Sequence, residues 1–144
     1  MNSIIKTGLI AAAIAMPAHA EPNPKLLTIV TSADPQIQLM AMVLTANAVA
    51  KGAEARVLLC GPAGDMALED GPESVWAPQP PMKASSQGML LNLMARSAVK
   101  VQVCAIYLPG KGSDASVLLQ GVTAAAPDAM AAEIVDSRTT VLTF

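Results

Sequence analysis

Histidine is all but missing from this chain of 144 residues, and the single one is His19. If the first 20 residues are removed after export, as their pattern indicates, none remains. Ser-His-Asp and Cys-His nucleophile activation, His-containing zinc sites and histidine general acid–base catalysis are then excluded. Charge is also scarce: 9 Lys and Arg face 11 Asp and Glu. Such a balance offers no cationic surface for nucleic acid. No apolar run approaches the ~20 residues that cross a bilayer, so no membrane span is expected. There is no internal repeat, and the one biased tract is a proline-rich loop. The reactive groups left are carboxylates, a few lysines and arginines, and the two cysteines, Cys60 and Cys104.

The opening residues have the three parts of a cleavable secretion signal. Lys6 lies in a short cationic start, Leu9 to Met16 form an apolar run, and Pro17 breaks it. Ala18-His19-Ala20 then supplies the small residues that signal peptidase needs at minus three and minus one. Neither a twin arginine nor a cysteine after Ala20 accompanies it, which argues against Tat export and against a lipid anchor. The expectation is Sec export to the periplasm with cleavage after Ala20. Residues 21–144 then form a single domain of 124 residues, with 8 basic and 11 acidic side chains and a net charge of −3.

Strands and helices alternate along that domain. Lys25 to Thr31 is a continuous β-branched, apolar run, as in a strand buried on both faces. Asp34 is placed to cap a helix whose first residue is Pro35, and Lys51-Gly52 stops it. A second strand spans Glu54 to Cys60, ended by Gly61-Pro62-Ala63-Gly64. The prolines from Gly71 to Met82 predict a long loop around Trp76 without a regular element. Ser85 or Ser86 caps the next helix, which ends by Lys100. A third strand follows from Lys100 to Tyr107, then a short helix from about Asp114 to Gln120. A fourth strand at Val122 to Ala124, a helix from Pro127 through Val135 and a fifth strand from Thr139 to Phe144 complete the chain. This pattern predicts a three-layer α/β domain with a mainly parallel five-stranded sheet and helices on both faces.

Ligands of an open parallel sheet collect at the carboxyl ends of its strands, and both cysteines fall there. If the first strand separates the other two, the cysteines lie roughly 10 Å apart, at ~4.8 Å per strand spacing. A disulfide within one chain would then require loop movement. Each cysteine is equally readable as a small buried apolar residue. Tyr107 and Lys111 follow Cys104, and the turn leads to a helix start at Ser113-Asp114; an ammonium and a helix N-terminus both favour a thiolate. Asp65, after Cys60, is a candidate for orienting a substrate or for serving its own backbone. The glycine loop lacks the Lys-Ser/Thr ending of a phosphate-binding loop, and no cofactor is implied. Nine methionines raise Cu(I) binding with the two cysteines. Most lie on apolar helix faces, where core filling accounts for them and leaves no metal site.

The segments Lys-Leu-Leu-Thr-Ile-Val-Thr-Ser from Lys25, Leu-Leu-Cys-Gly-Pro-Ala-Gly-Asp from Leu58 and Val-Gln-Val-Cys-Ala-Ile-Tyr-Leu-Pro-Gly-Lys-Gly from Val101 carry a resemblance. So do Gly-Val-Thr-Ala-Ala-Ala-Pro-Asp-Ala-Met-Ala from Gly121 and the closing Thr-Val-Leu-Thr-Phe. In order and spacing the chain resembles the DsrE/DsrF-like sulfur-relay proteins over nearly the whole domain. The resemblance implies a flavodoxin-like sheet, homotrimers or hexamers, and a persulfide-bearing cysteine at the end of the third strand with a glycine eight positions later. Cys104 and Gly112 match that interval. The signal peptide and Cys60 depart from the cytoplasmic members, so their partners do not transfer.

The resulting expectation is a periplasmic thiol protein that binds or transfers sulfane sulfur through a Cys104 persulfide. Cys60 would be a second, resolving thiol, with Tyr107, Lys111 and Asp65 as binding residues. Its partners would be a small sulfur donor or an acceptor thiol protein. The alternative is a non-catalytic oligomeric binding protein with structural cysteines. In an oxidising compartment the two thiols can also pair, within or between subunits.

Overall fold

A computed structural model describes residues 22–144, so the expected signal at residues 1–20 lies outside the described residues. Five strands form one all-parallel sheet: β1 (Lys25–Val30), β2 (Glu54–Leu59), β3 (Lys100–Val103), β4 (Thr123–Ala124) and β5 (Thr139–Thr143), in the order β4-β3-β2-β1-β5. With α1 (Pro35–Ala50), α2 (Glu73–Trp76), α3 (Ser86–Arg96), α4 (Tyr107–Gly110) and α5 (Pro127–Val135), this is the three-layer α/β class that the alternation implied, with the flavodoxin-like sheet that the resemblance implied.

The strand order corrects one expectation. β1 does not separate β2 from β3; β2 pairs directly with β3, in a register that sets Leu59 opposite Val103. Other elements differ as well, several strand ends and the end of α3 among them. β3 ends at Val103 rather than continuing to Tyr107, because Cys104 begins a turn in which the Tyr107 amide donates to the Cys104 carbonyl at 2.9 Å. The helix expected from Asp114 is a three-residue 3₁₀ turn, Ala115–Val117, capped by Asp114. The proline-rich loop contains one helical turn, α2, which buries Val75 in the core.

Alternation along each strand divides the core into two faces. Val30, Val57, Leu59, Val101 and Val103 pack with Ala41 and Met42 of α1 and Leu90 and Leu93 of α3. On the other face Leu27 and Leu58 meet Ala125 and Met130, with Ile29, Cys60 and Cys104 packed at the margin. Asp34 caps α1 by accepting from the Gln36 and Ile37 amides at 2.8 and 3.0 Å, as its place before Pro35 implied. Of the two candidate caps for α3 the structure selects Ser85, which accepts from the Gly88 amide at 3.1 Å. Ser86 is buried and donates to Gln38.

One buried side chain fixes the segment that follows β2. Gln87, fully buried on α3, donates through Nε2 to the carbonyls of Met66 and Leu68 at 3.0 and 2.7 Å. Those carbonyls close the 3₁₀ helix Gly61–Ala67. The Gln87 Oε1 accepts from nothing among the described residues, so the residue's contribution lies in its two donations. Gln87→Leu, similar in volume, orphans both carbonyls and is expected to lower stability by about 2 kcal/mol in urea denaturation.

Candidate functional site

The parallel pairing of β2 with β3 brings their carboxyl ends together, and each ends one residue before a cysteine. The ladder runs one bond further on each side: the Cys60 amide donates to the Val30 carbonyl and the Cys104 amide to the Leu59 carbonyl, both at 2.9 Å. Cys60 and Cys104 are thereby neighbours with Cα atoms 5.0 Å apart, and they form a disulfide. That distance falls within the range a disulfide needs. The expected separation of about two strand spacings, and the loop movement it would require, are both overturned by the strand order. Both cysteines are half-buried and pack near Leu27, Leu58 and Met130.

The residues leaving the two cysteines also converge. Asp65, in the middle of the 3₁₀ helix after Cys60, accepts the Tyr107 hydroxyl on Oδ1 at 2.7 Å. The Lys111 ammonium reaches the same oxygen at 2.5 Å and lies 5.5 Å from the Tyr107 ring centroid. A helix N-terminus beside Cys104, one ground for expecting a thiolate there, is not formed by the 3₁₀ turn Ala115–Val117. Lys111, the other ground, is engaged by Asp65.

Gly64 makes this convergence possible, and the sequence alone gave no sign of it. A Cβ on Gly64 would occupy the space of the Tyr107 ring, so only glycine lets the ring pack against the loop. The ring is buried with its hydroxyl on a carboxylate. Burial first, then the hydrogen bond and negative charge of Asp65, push the Tyr107 phenol well above the ordinary tyrosine value.

Around these groups lies a cavity of about 450 Å³ lined by Gly61, Pro62, Asp65, Ile106, Tyr107, Gly110 and Lys111. Its walls begin one residue after Cys60 and two after Cys104. Neither cysteine lines it among the described residues. Ile106 forms part of the rim and is 81% exposed. A second cavity of about 490 Å³ lies at the opposite end of the sheet, beside Lys25, Arg56, Lys100 and Glu133. There Glu133 meets both Lys25 and Arg56 at 3.7 Å, which docks α5 against β1 and β2. Carboxyl-end position and nearness to the cysteines select the first cavity as the candidate site. No cluster of three or more His, Cys, Asp or Glu suited to a metal ion occurs among the described residues.

Tyr107 is the only tyrosine in the chain, so tyrosinate absorbance reports this site alone. Its titration is expected above the ordinary value of 10.0. A phenol held neutral in the fold contributes stability that is full below the unfolded value and is lost as pH rises through the folded one. Asp65→Asn should lower the Tyr107 midpoint without restoring it fully, since burial, the larger cause, remains. Gly64→Ala should displace the ring, lower stability by about 2 kcal/mol in thermal unfolding, and return the phenol toward ordinary titration.

No protein-family model matches the chain, and no curated protein matches it. Solved structures do. MTH1491 from Methanobacterium thermoautotrophicum, described as a protein of unknown function, superimposes with a TM-score of 0.63 at 15% identity, covering 85% of this chain and 100% of its own. The ychN protein from E. coli gives 0.66 at 19% identity, with the same coverage of each. At such identities the likeness is one of fold, and the chain has a DsrE/YchN-like fold.

Proposed function

We propose that this is an exported thiol protein of the DsrE type that carries sulfane sulfur on Cys104, with Cys60 as the resolving thiol. The observation that carries the reading is the Cys60–Cys104 pair at the carboxyl ends of two adjacent parallel strands, close enough to bond. A dithiol reductant opens the disulfide, giving two thiols and an oxidised reductant. The Cys104 thiolate then attacks the terminal sulfur of a donor, forming a Cys104 persulfide and releasing the donor as its thiolate. An acceptor thiolate can take that sulfur and return Cys104 as a thiolate. Alternatively the Cys60 thiolate attacks the inner Cys104 sulfur and expels hydrosulfide. That second route re-forms the disulfide and reduces the sulfane sulfur by two electrons, which come from the dithiol.

The signal-like residues 1–20 support export to the periplasm, an oxidising compartment that suits a disulfide resting state. Exposed Ile37, Met40 and Leu44 on α1, with Leu91 on α3, support self-association, in line with the trimer or hexamer the resemblance implies. A structural role for the disulfide in a non-catalytic oligomeric binding protein is the second reading. It is favoured by the packing of both cysteines against the Leu27, Leu58 and Met130 cluster.

Mass spectrometry of reduced protein exposed to polysulfide separates the two. The carrier reading expects one added sulfur on Cys104, absent from Cys104→Ser, and a persulfide about tenfold longer-lived in Cys60→Ser. Protein without added sulfur leaves only the structural reading, and the same addition in Cys104→Ser moves the sulfur to Cys60 and overturns Cys104 as the carrier.

A further inference from the structure

The cavity beside the disulfide is lined by balanced charges. Its charged side chains are one carboxylate, Asp65, and one ammonium, Lys111, so the charge on its lining residues is zero. Asp65 receives both Tyr107 and Lys111 on Oδ1, while Oδ2 accepts from no protein group among the described residues. Lys111 has Asp65 as its one ion-pair partner among the described residues, and its side chain is 42% exposed, which leaves N–H donors free. An acceptor and a donor of opposite charge therefore stand side by side, each with unused hydrogen-bonding capacity.

The remaining walls are apolar or plain backbone. Pro62 and Ile106 contribute hydrocarbon, and Gly61 and Gly110 contribute main chain, where an added Cβ would meet nothing within 4 Å. Gly61 has a φ of +54°, a conformation that side-chain-bearing residues rarely adopt, which keeps this wall bare. The volume of about 450 Å³ falls within the ~300–1,000 Å³ of small-molecule sites. An inorganic polysulfide or thiosulfate dianion would gain Lys111 but face Asp65 with no second cation. A compound with its own ammonium and carboxylate meets both charges with their opposites.

We propose that this cavity binds a small zwitterionic α-amino acid bearing a sulfur-containing side chain. Its carboxylate lies on Lys111, its ammonium on Asp65 Oδ2, and its side chain runs along Pro62 and Ile106 toward the cysteines. This deepens the carrier reading and rests on it for the ligand's sulfur, since the walls start one residue from Cys60 and two from Cys104. The donor is then an amino-acid persulfide. The reduced Cys104 thiolate attacks its terminal sulfur, the donor's S–S bond breaks, and the amino-acid thiolate leaves.

The binding site is testable on the oxidised protein without any sulfur transfer. The probes are S-methyl-L-cysteine, 3-(methylthio)propanoate, which lacks the ammonium, and 2-(methylthio)ethylamine, which lacks the carboxylate. Calorimetric titration is expected to show the zwitterion binding at least about tenfold tighter than either singly charged analogue. Asp65→Asn should abolish its advantage over the anion, and Lys111→Met its advantage over the cation, with folding of each variant checked by thermal unfolding. Absence of saturable binding, equal affinity for a singly charged analogue, or unchanged preference in both variants overturns the proposal. Binding without polysulfide loading of Cys104 would overturn the carrier reading and keep the site; loading without binding would do the reverse.

Discussion

Pairing of β2 with β3 is the constraint on which the rest of the site depends. Parallel strands carry their carboxyl ends to the same edge of the sheet, so whatever follows Leu59 meets whatever follows Val103. Cys60 and Cys104 come first and are linked. Gly64 and Tyr107 come next, the ring packing where a side chain on Gly64 would stand. Asp65 and Lys111 follow, closing over the ring through one carboxylate oxygen. Covalent bond, packing and ion pair are thus successive consequences of one backbone register.

These ties differ in kind and in strength. The disulfide holds the strand ends covalently. The Tyr107–Asp65 bond is largely sheltered, whereas the Lys111–Asp65 pair faces solvent on its lysine side, where an ion pair contributes only a fraction of a kcal/mol to about 1 kcal/mol. Lys111 is therefore the member that a ligand can most readily engage. Away from the chemistry, Gln87 anchors the 3₁₀ helix from behind, and Glu133 ties α5 to β1 and β2. The buried Gln87 hydrogen bonds thus fix the loop from behind, leaving its outer face open as cavity wall.

Much of the architecture was legible because it is local. Asp34 before Pro35 announces a helix start through a cap that needs only neighbouring amides, and α5 begins at Pro127 and ends at Val135 as its pattern indicated. The β-branched run from Lys25 reads as a strand in isolation. Misreadings arose where tertiary contacts decide. The third strand looked long enough to include Tyr107, but the ring is drawn onto Gly64 and Asp65 and the chain turns. Val75 anchors a helical turn inside a proline-rich loop by entering the core, a contact no proline count reveals.

Residue types and their order along the chain determined what chemistry this domain has available: no histidine beyond His19, two cysteines at strand ends, and Asp65, Tyr107 and Lys111 within a few residues of them. They also determined the α/β class, since hydrophobic periodicity and helix caps are local signals. The order of the strands was decided only by tertiary structure, because it depends on which apolar faces pack together across the sheet rather than on any neighbouring residue. That order turned two cysteines expected two strand spacings apart into a bonded pair, and three separate polar residues into one electroneutral pocket wall.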